Sequence, residues 1–189
     1  MNRTHTAWTV DGLHWLQPAR HRLSPHCDER PPGSPVDLLV IHAISLPPDR
    51  FGGPYVDDLF MGTLDCDADP YFEGLRGLRV SAHLLIDRRG ALTQYVPFHR
   101  RAWHAGASEW RGRSRCNDFS IGIELEGSDH QPFTPVQMKV LVAVSRCLLA
   151  HYRIPPDQVA GHSEIAPGRK TDPGPYFDWA GYRAHLLGP

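Results

Sequence analysis

The stretch GHSEIAPGRKTDPGP, residues 161 to 175, sets His162, Lys170 and Asp172 on backbone interrupted by three prolines and three glycines. Proline fixes φ and lacks a donor while glycine tolerates φ > 0, so the mixture predicts an ordered irregular loop that is neither helix nor strand. His162 and Asp172 meet only if that loop folds back, and a bound cation is a direct reason for it to do so. Neutral imidazole and carboxylate both ligate zinc-like ions. Without a third ligand and a reactive partner, the same residues describe a surface loop in which Asp172 caps a turn and His162 is solvated.

A third candidate is His42, which closes the apolar run VDLLVIH, as His162 closes QVAGH. Strand ends in α/β folds meet at a rim outside the packed core, so the two imidazoles can converge there. With Asp172 they form a His, His, carboxylate triad that leaves a fourth position for water, the arrangement of a catalytic zinc site. The chain has 12 histidines, which dilutes the signal, and His5, His14, His21 and His130 are assigned to solvent.

FSIGIELEG, 119 to 127, reads as a strand with Ile121, Ile123 and Leu125 on one face and Gly122, Glu124 and Glu126 on the other. Either a solvated face or a reactive carboxylate fits this alternation, and alternation does not choose between Glu124 and Glu126. A carboxylate beside a zinc-bound water accepts its proton and later delivers it to a leaving amine. Lys170 stands out because only two of the 20 Lys and Arg residues are Lys. Its ammonium is a compact donor for a developing oxyanion, or simply a solvated loop cation.

The elements that must position these groups follow from periodicity. Residues 1–35 are polar and proline-punctuated and read as an N-terminal arm lying over a single domain, 36–189. VDLLVIH is apolar on both faces, as in a strand covered on both sides. Residues 80–98 read as two β-rich runs about a DRRG turn, and RAWHAG as another strand. In 134–152, Thr134 is the N-cap, Pro135 takes N1, Gln137 completes a capping box and Val140, Leu141, Val144 and Leu148 recur at helical spacing. A last helix, 178–187, is capped by Asp178. The expectation is an α/β domain with a central mixed sheet of about five strands flanked by helices. Between them, 43–79 carries only the short helix VDDLF, and so long a connection suits a hinged cleft wall that narrows when no substrate is present.

A chain of 189 residues, 41% hydrophobic, suits one core. A net charge of −1 provides no field to attract nucleic acid or anionic lipid. The N-terminus has no apolar h-region, no run approaches the roughly 20 apolar residues of a membrane span, and Cys27, Cys66, Cys116 and Cys147 form no CxxC pair. A cytoplasmic protein with reduced thiols is expected.

LLVIHAISLPP, FGGPYVDDLF, PYFEGLRGLRVSAHLLI, QYVPFHRRAWHAG, RCNDFSIGIELEG and GHSEIAPGRKTDPGP together resemble the AmpD-type anhydro-N-acetylmuramyl-L-alanine amidases, from about residue 24 to 180. That wider class includes phage zinc amidases and peptidoglycan recognition proteins. The resemblance implies one zinc ion held by His42, His162 and Asp172, Glu124 as the catalytic carboxylate and Lys170 supporting the transition state. It also implies a cleft floor containing Arg79, Trp103, His104 and Arg115, the two arginines facing carboxylates of a stem peptide. The implied activity is that of a monomeric cytoplasmic enzyme cleaving the amide between the lactyl group of anhydro-muramic acid and L-alanine. Action on polymeric peptidoglycan and non-catalytic recognition are the rival readings. The family usually carries Asn after the first zinc histidine; Ala43 here removes a polar contact to the ligand.

Overall fold

The computed structural model describes residues 7–188, so the first six residues of the expected arm, His5 among them, lie outside the described residues. Six strands form the central sheet: β1 (Arg20–His21), β2 (Leu38–Ile44), β3 (Leu84–Ile86), β4 (Leu92–Gln94), β5 (Ser120–Glu126) and β6 (Val159–Gly161). Their order is β6-β2-β5-β3-β4-β1. β6, β2, β5 and β3 run parallel, β3 and β4 form the antiparallel hairpin about the DRRG turn, and β1 lies parallel to β4. The sheet is mixed, as expected, with six strands rather than about five.

Alternation along the strands builds two cores. Leu39 and Ile41 of β2 and Ile121, Ile123 and Leu125 of β5 join Leu141, Val144 and Leu148 of helix α2 (Pro135–Tyr152) and Tyr182 and Leu186 of α4 (Trp179–Leu187). Each fully buried aliphatic side chain there contributes about 2 kcal/mol of transfer free energy. On the other face, Leu38, Val40 and Ala160 pack on Ala105, Phe119 and Ile165. The capping box of α2 is formed: Gln137 N–H donates to Thr134 Oγ1 at 3.2 Å and Thr134 N–H to Gln137 Oε1 at 3.0 Å. The Gln137 amide also donates to the carbonyls of Ile86 and Glu126, fastening the helix start to the ends of β3 and β5.

Three local departures bear on the site. β2 runs to Ile44, two residues beyond His42, because the pairing with β5 extends to Glu126. β6 stops at Gly161, and His162 opens the one-turn helix α3 (His162–Ile165), where an irregular loop was expected. Glu164 Oε2 accepts from Gly161 N–H at 2.7 Å and His162 C=O accepts from Ala166 N–H at 2.9 Å, enough to close one turn before Pro167. His14, assigned to solvent, is partly buried with Nδ1 2.8 Å from the Tyr152 hydroxyl.

The N-terminal segment supplies structure to the domain: β1 is an edge of the central sheet, and Cys27–Glu29 pairs antiparallel with Arg100–Ala102. Within 43–79, α1 (Tyr55–Met61) ends at Gly62, whose φ of 71° suits glycine, and Pro70–Leu75 forms a 3₁₀ turn. Phe60 and Phe72 anchor this segment against Tyr95 and Val96. All four cysteines are free. Among the described residues, no helix is long and apolar enough to cross a membrane.

Arg30 closes the fold beneath the sheet. Its guanidinium donates to the carbonyls of Phe98, Asn117, Asp118 and Ser120 at 2.8–3.2 Å. Arg30→Met therefore leaves several acceptors unpaired and should lower the unfolding free energy by about 3 kcal/mol, read from urea midpoints. Arg89→Met, at the exposed hairpin turn, should change it by less than about 1 kcal/mol.

Candidate active site

Strand register assembles the site. In the β2–β5 ladder His42 stands opposite Glu124, and in the β2–β6 ladder Ile41 stands opposite Gly161, so His162 follows directly beside His42. Three parallel strands thus present His162, His42 and Glu124 at their carboxyl ends, where α/β sheets bind ligands. Asp172 returns to this row because Ser163 N–H donates to the Asp172 carbonyl at 2.9 Å.

His42 Nδ1 and His162 Nδ1 are 3.0 Å apart, and Asp172 Oδ2 lies 3.3 Å from the first and 3.1 Å from the second. Four ligands at about 2.0 Å from a tetrahedral zinc ion are separated by about 3.3 Å, so these edges fit one face of that polyhedron. Hydrogen placement supports the same reading. His162 Nε2 faces the Ala105 carbonyl at 3.2 Å, which only accepts, and Arg169 Nη2 at 3.4 Å, whose two hydrogens go to the Ala105 and Ala107 carbonyls; the ring hydrogen therefore points to Ala105 and Nδ1 is left bare. A proton or a cation must therefore separate the converging lone pairs. Burial above all, offset by the hydrogen bond to Asp172, lowers the His42 pKa to about 4, disfavouring a proton on that ring. Burial alone would raise Asp172, but the two imidazoles outweigh it and hold the carboxyl well below the usual range. These three side chains could hold a metal ion.

Glu124 and Glu126 are both buried, at 8% and 6% exposure, and their partners separate their roles. Glu126 accepts backbone N–H groups of Gly52 and Arg88, fastening the 43–79 segment to the hairpin turn. Among the described residues, Glu124 Oε2 has no hydrogen-bond partner. Burial, and secondarily the charge of Asp172, raises its pKa well above 4.5, while Lys170 acts in the opposite sense. A buried carboxyl with an uncommitted oxygen and a raised pKa suits proton transfer.

A cleft of about 570 Å³ opens over this row. Ala43, His104, Glu124, His162, Lys170 and Asp172 line it, and Leu46, Asp49, Tyr71 and Leu78 of the 43–79 segment form the facing wall. At the lip, His130 Nδ1 meets Asp49 Oδ2 at 3.0 Å. Lys170 is exposed on the α3–α4 connection.

Of the four residues expected on the cleft floor, only His104 is there. Trp103 points away: its indole N–H donates to Asp28 Oδ1 at 3.1 Å and its ring stacks on His26. Arg115 is exposed and pairs with Asp118. Arg79 lines an adjoining depression with His26, Gly62 and Cys66, which meets the cleft at Leu59, Leu75 and Leu78. The strand expected over RAWHAG ends at Ala102, and in the bend that follows the side chains part, Trp103 going to Asp28 and His26 and His104 to His42. Sequence reasoning missed Arg169, which donates to the carbonyls of Ala105 at 2.6 Å and Ala107 at 2.8 Å, bracing the segment behind His162. It also missed Ser120, though Ser120, Gly122 and Glu124 alternate onto one face.

A mixed sheet flanked by helices, with two imidazoles and a carboxylate gathered at the ends of its parallel strands beside a buried glutamate, has the layout of a metal-dependent hydrolase. The chain belongs to the N-acetylmuramoyl-L-alanine amidase family, whose model it matches over residues 32–175. It is 58% identical over 170 residues to the 1,6-anhydro-N-acetylmuramyl-L-alanine amidase AmpD of Salmonella typhimurium, covering 90% of this chain and 91% of that protein. A crystal structure of a selenomethionine AmpD derivative superimposes with a TM-score of 0.91 at 55% identity, covering 94% of this chain and 98% of that one. AmiD from E. coli, solved with the substrate anhydro-N-acetylmuramic acid-L-Ala-D-gamma-Glu-L-Lys, matches with a TM-score of 0.61 at 32% identity, over 85% of this chain and 62% of that chain.

The two glutamates should respond oppositely to substitution. Glu126→Ala strands two backbone donors and should cost about 1–3 kcal/mol of stability. A carboxyl whose pKa is raised on folding contributes stability at low pH that is lost as pH rises. Glu124→Gln should therefore stabilise the metal-free protein relative to wild type more at pH 8 than at pH 4.5, as thermal melts at the two pH values will show.

Proposed function

We propose that the chain hydrolyses the amide between the lactyl group of 1,6-anhydro-N-acetylmuramic acid and the L-alanine of a stem peptide, as a monomeric zinc enzyme of cytoplasmic peptidoglycan recycling. The observation that carries this reading is the set of three acceptor atoms within 3.3 Å of one another beside the unpartnered oxygen of Glu124. The named activity of the AmpD relative, 58% identical, supplies the substrate. The donor set of two imidazoles and one carboxylate fits zinc, with His42, His162 and Asp172 holding one ion per chain. Zinc bound there lowers the pKa of water to about 7 and polarises a carbonyl.

The protein's own groups do the rest. Glu124 accepts a proton from the attacking water and delivers one to the departing alanine nitrogen, a transfer its raised pKa favours. Lys170, on the cleft lining, sets a positive charge toward the carbonyl oxygen as negative charge develops. The cleft volume of about 570 Å³ suits a sugar with the first residues of its peptide. Ala43 presents only a methyl beside His42, so contact with the sugar-peptide there is apolar.

Glu124→Gln should lower kcat on a soluble anhydro-muropeptide by about 10³-fold with zinc content unchanged, followed by mass spectrometry of the released peptide. Retention of a tenth of wild-type activity removes Glu124 from this role. EDTA should abolish turnover and added zinc restore it. Intact sacculi should be cleaved far more slowly than the soluble fragment; equal rates favour a general cell-wall amidase, and tight binding without released peptide favours a recognition module.

A further inference from the structure

His42 lacks the simple support that His162 has. The ring hydrogen of His162 is fixed by a carbonyl, whereas His42 Nε2 meets the Nδ1 of another imidazole, His104, at 2.9 Å. A contact between two ring nitrogens does not by itself say which one carries the hydrogen. The answer lies two groups further on.

His104 Nε2 is 3.1 Å from Ser120 Oγ, and Ser120 Oγ is 2.6 Å from the Cys116 carbonyl. A carbonyl has no hydrogen to offer, so the single hydroxyl hydrogen of Ser120 goes to Cys116. Ser120 must then accept from His104, which puts the hydrogen of a neutral His104 on Nε2 and leaves its Nδ1 bare. That bare nitrogen can only accept, so His42 carries its hydrogen on Nε2 and turns an unprotonated Nδ1 toward His162 and Asp172. The direction of every bond is set by the one group in the chain that cannot donate.

We propose that His104 and Ser120 are positioning residues that fix the tautomer and ring orientation of His42, relaying the Cys116 carbonyl to the metal-binding Nδ1. The proposal rests on the reading of His42 as a ligand. The surroundings are shaped for it. Ser120 is fully buried. The Asn117 side chain accepts the backbone N–H groups of His104 at 3.1 Å and Ala105 at 2.8 Å, fixing where the His104 ring starts. The ring then lies edge-on to His42, with centroids 5.0 Å apart at 86°. Gly122 makes the space: a Cβ there would stand 2.4 Å from His104 Cγ, so any side chain at 122 displaces the relay. Carboxylate or carbonyl partners usually hold the outer nitrogen of a metal-ligating histidine directly, and losing such a partner typically weakens metal binding 10- to 100-fold. Here an imidazole and a hydroxyl carry the same constraint over a longer path.

The test is zinc affinity measured by competition with a chromophoric chelator, without reference to turnover, on wild type and on His104→Leu, His104→Asn, Ser120→Ala and His42→Ala. His104→Leu should bind zinc at least about tenfold more weakly. His104→Asn, which keeps an acceptor near the position of Nδ1, should recover most of the loss. In the metal-free wild-type protein, ¹H–¹⁵N correlation spectra of labelled histidine should show His42 and His104 both protonated at Nε2, and Ser120→Ala should mix the His104 tautomers. Wild-type affinity in both His104→Leu and Ser120→Ala, with binding lost in His42→Ala, overturns the relay while leaving the ligand reading intact. Unchanged affinity in His42→Ala overturns both. Should His104→Leu fail to fold, the wild-type spectrum still decides: a hydrogen on His104 Nδ1 refutes the proposal.

Discussion

Everything at the site depends on the in-register parallel pairing of β2 with β5 and β6. Opposite residues in neighbouring parallel strands share a face, and the ladders that set Glu124 against His42 and Gly161 against Ile41 put three reactive groups in one row. A slip of one residue in any of the three strands would turn its reactive group to the opposite face, where Leu39, Ile41, Ile121 and Ile123 pack under α2. The hydrophobic pattern that buries those residues therefore also fixes the chemistry on the other side. Core and site are two readings of one register.

The second constraint is the pairing of buried polar groups. Away from the cleft, several buried polar side chains gather many partners: Arg30 serves four carbonyls, Gln137 ties a helix start to two strands, and Glu126 takes two backbone donors. Within the cleft the pairing is left incomplete. Glu124 Oε2 has no partner, and three acceptor atoms crowd together with no hydrogen assigned between them. Asp37, Arg88 and Arg100 also bury one atom each without a hydrogen bond, but only at Glu124 does that atom belong to a cleft-lining carboxyl close to converging metal-ligand atoms, where the stability it costs can serve chemistry. Stability is supplied elsewhere in the fold by the apolar faces of α2 and α4.

The cleft wall joins these two themes. Its base is pinned inside the protein through Gly52 and Glu126 and through Phe60 and Phe72, while its lip is held across the opening by the exposed pair Asp49–His130. Water screens an exposed pair of this kind, so the lip is held far more weakly than the base, which buried contacts fix beside the strand ends. The same glutamate-bearing strand supplies both the fastening of the wall and the group that faces it.

The sequence by itself determined the elements whose signals are local. Capping and periodicity marked α2 from Thr134 to Tyr152, the DRRG turn marked the hairpin of β3 and β4, and the run of apolar residues before His42 marked a strand covered on both sides. It also singled out His42, His162, Asp172, Glu124 and Lys170 from residue type and from their places at strand ends and in the loop after β6, and the family resemblance preferred Glu124 to Glu126. Only the tertiary structure decided how those groups meet, because register, exposure and hydrogen-bond partners arise between segments far apart in the chain. It distinguished Glu126 by the donors brought to it from Gly52 and Arg88, turned Trp103 and Arg115 away from the floor, and made His162 the start of a helical turn. It also placed the N-terminal strand Arg20–His21 at the sheet edge. A periodic pattern states which face a side chain takes; what stands opposite that face is settled only when the strands pair.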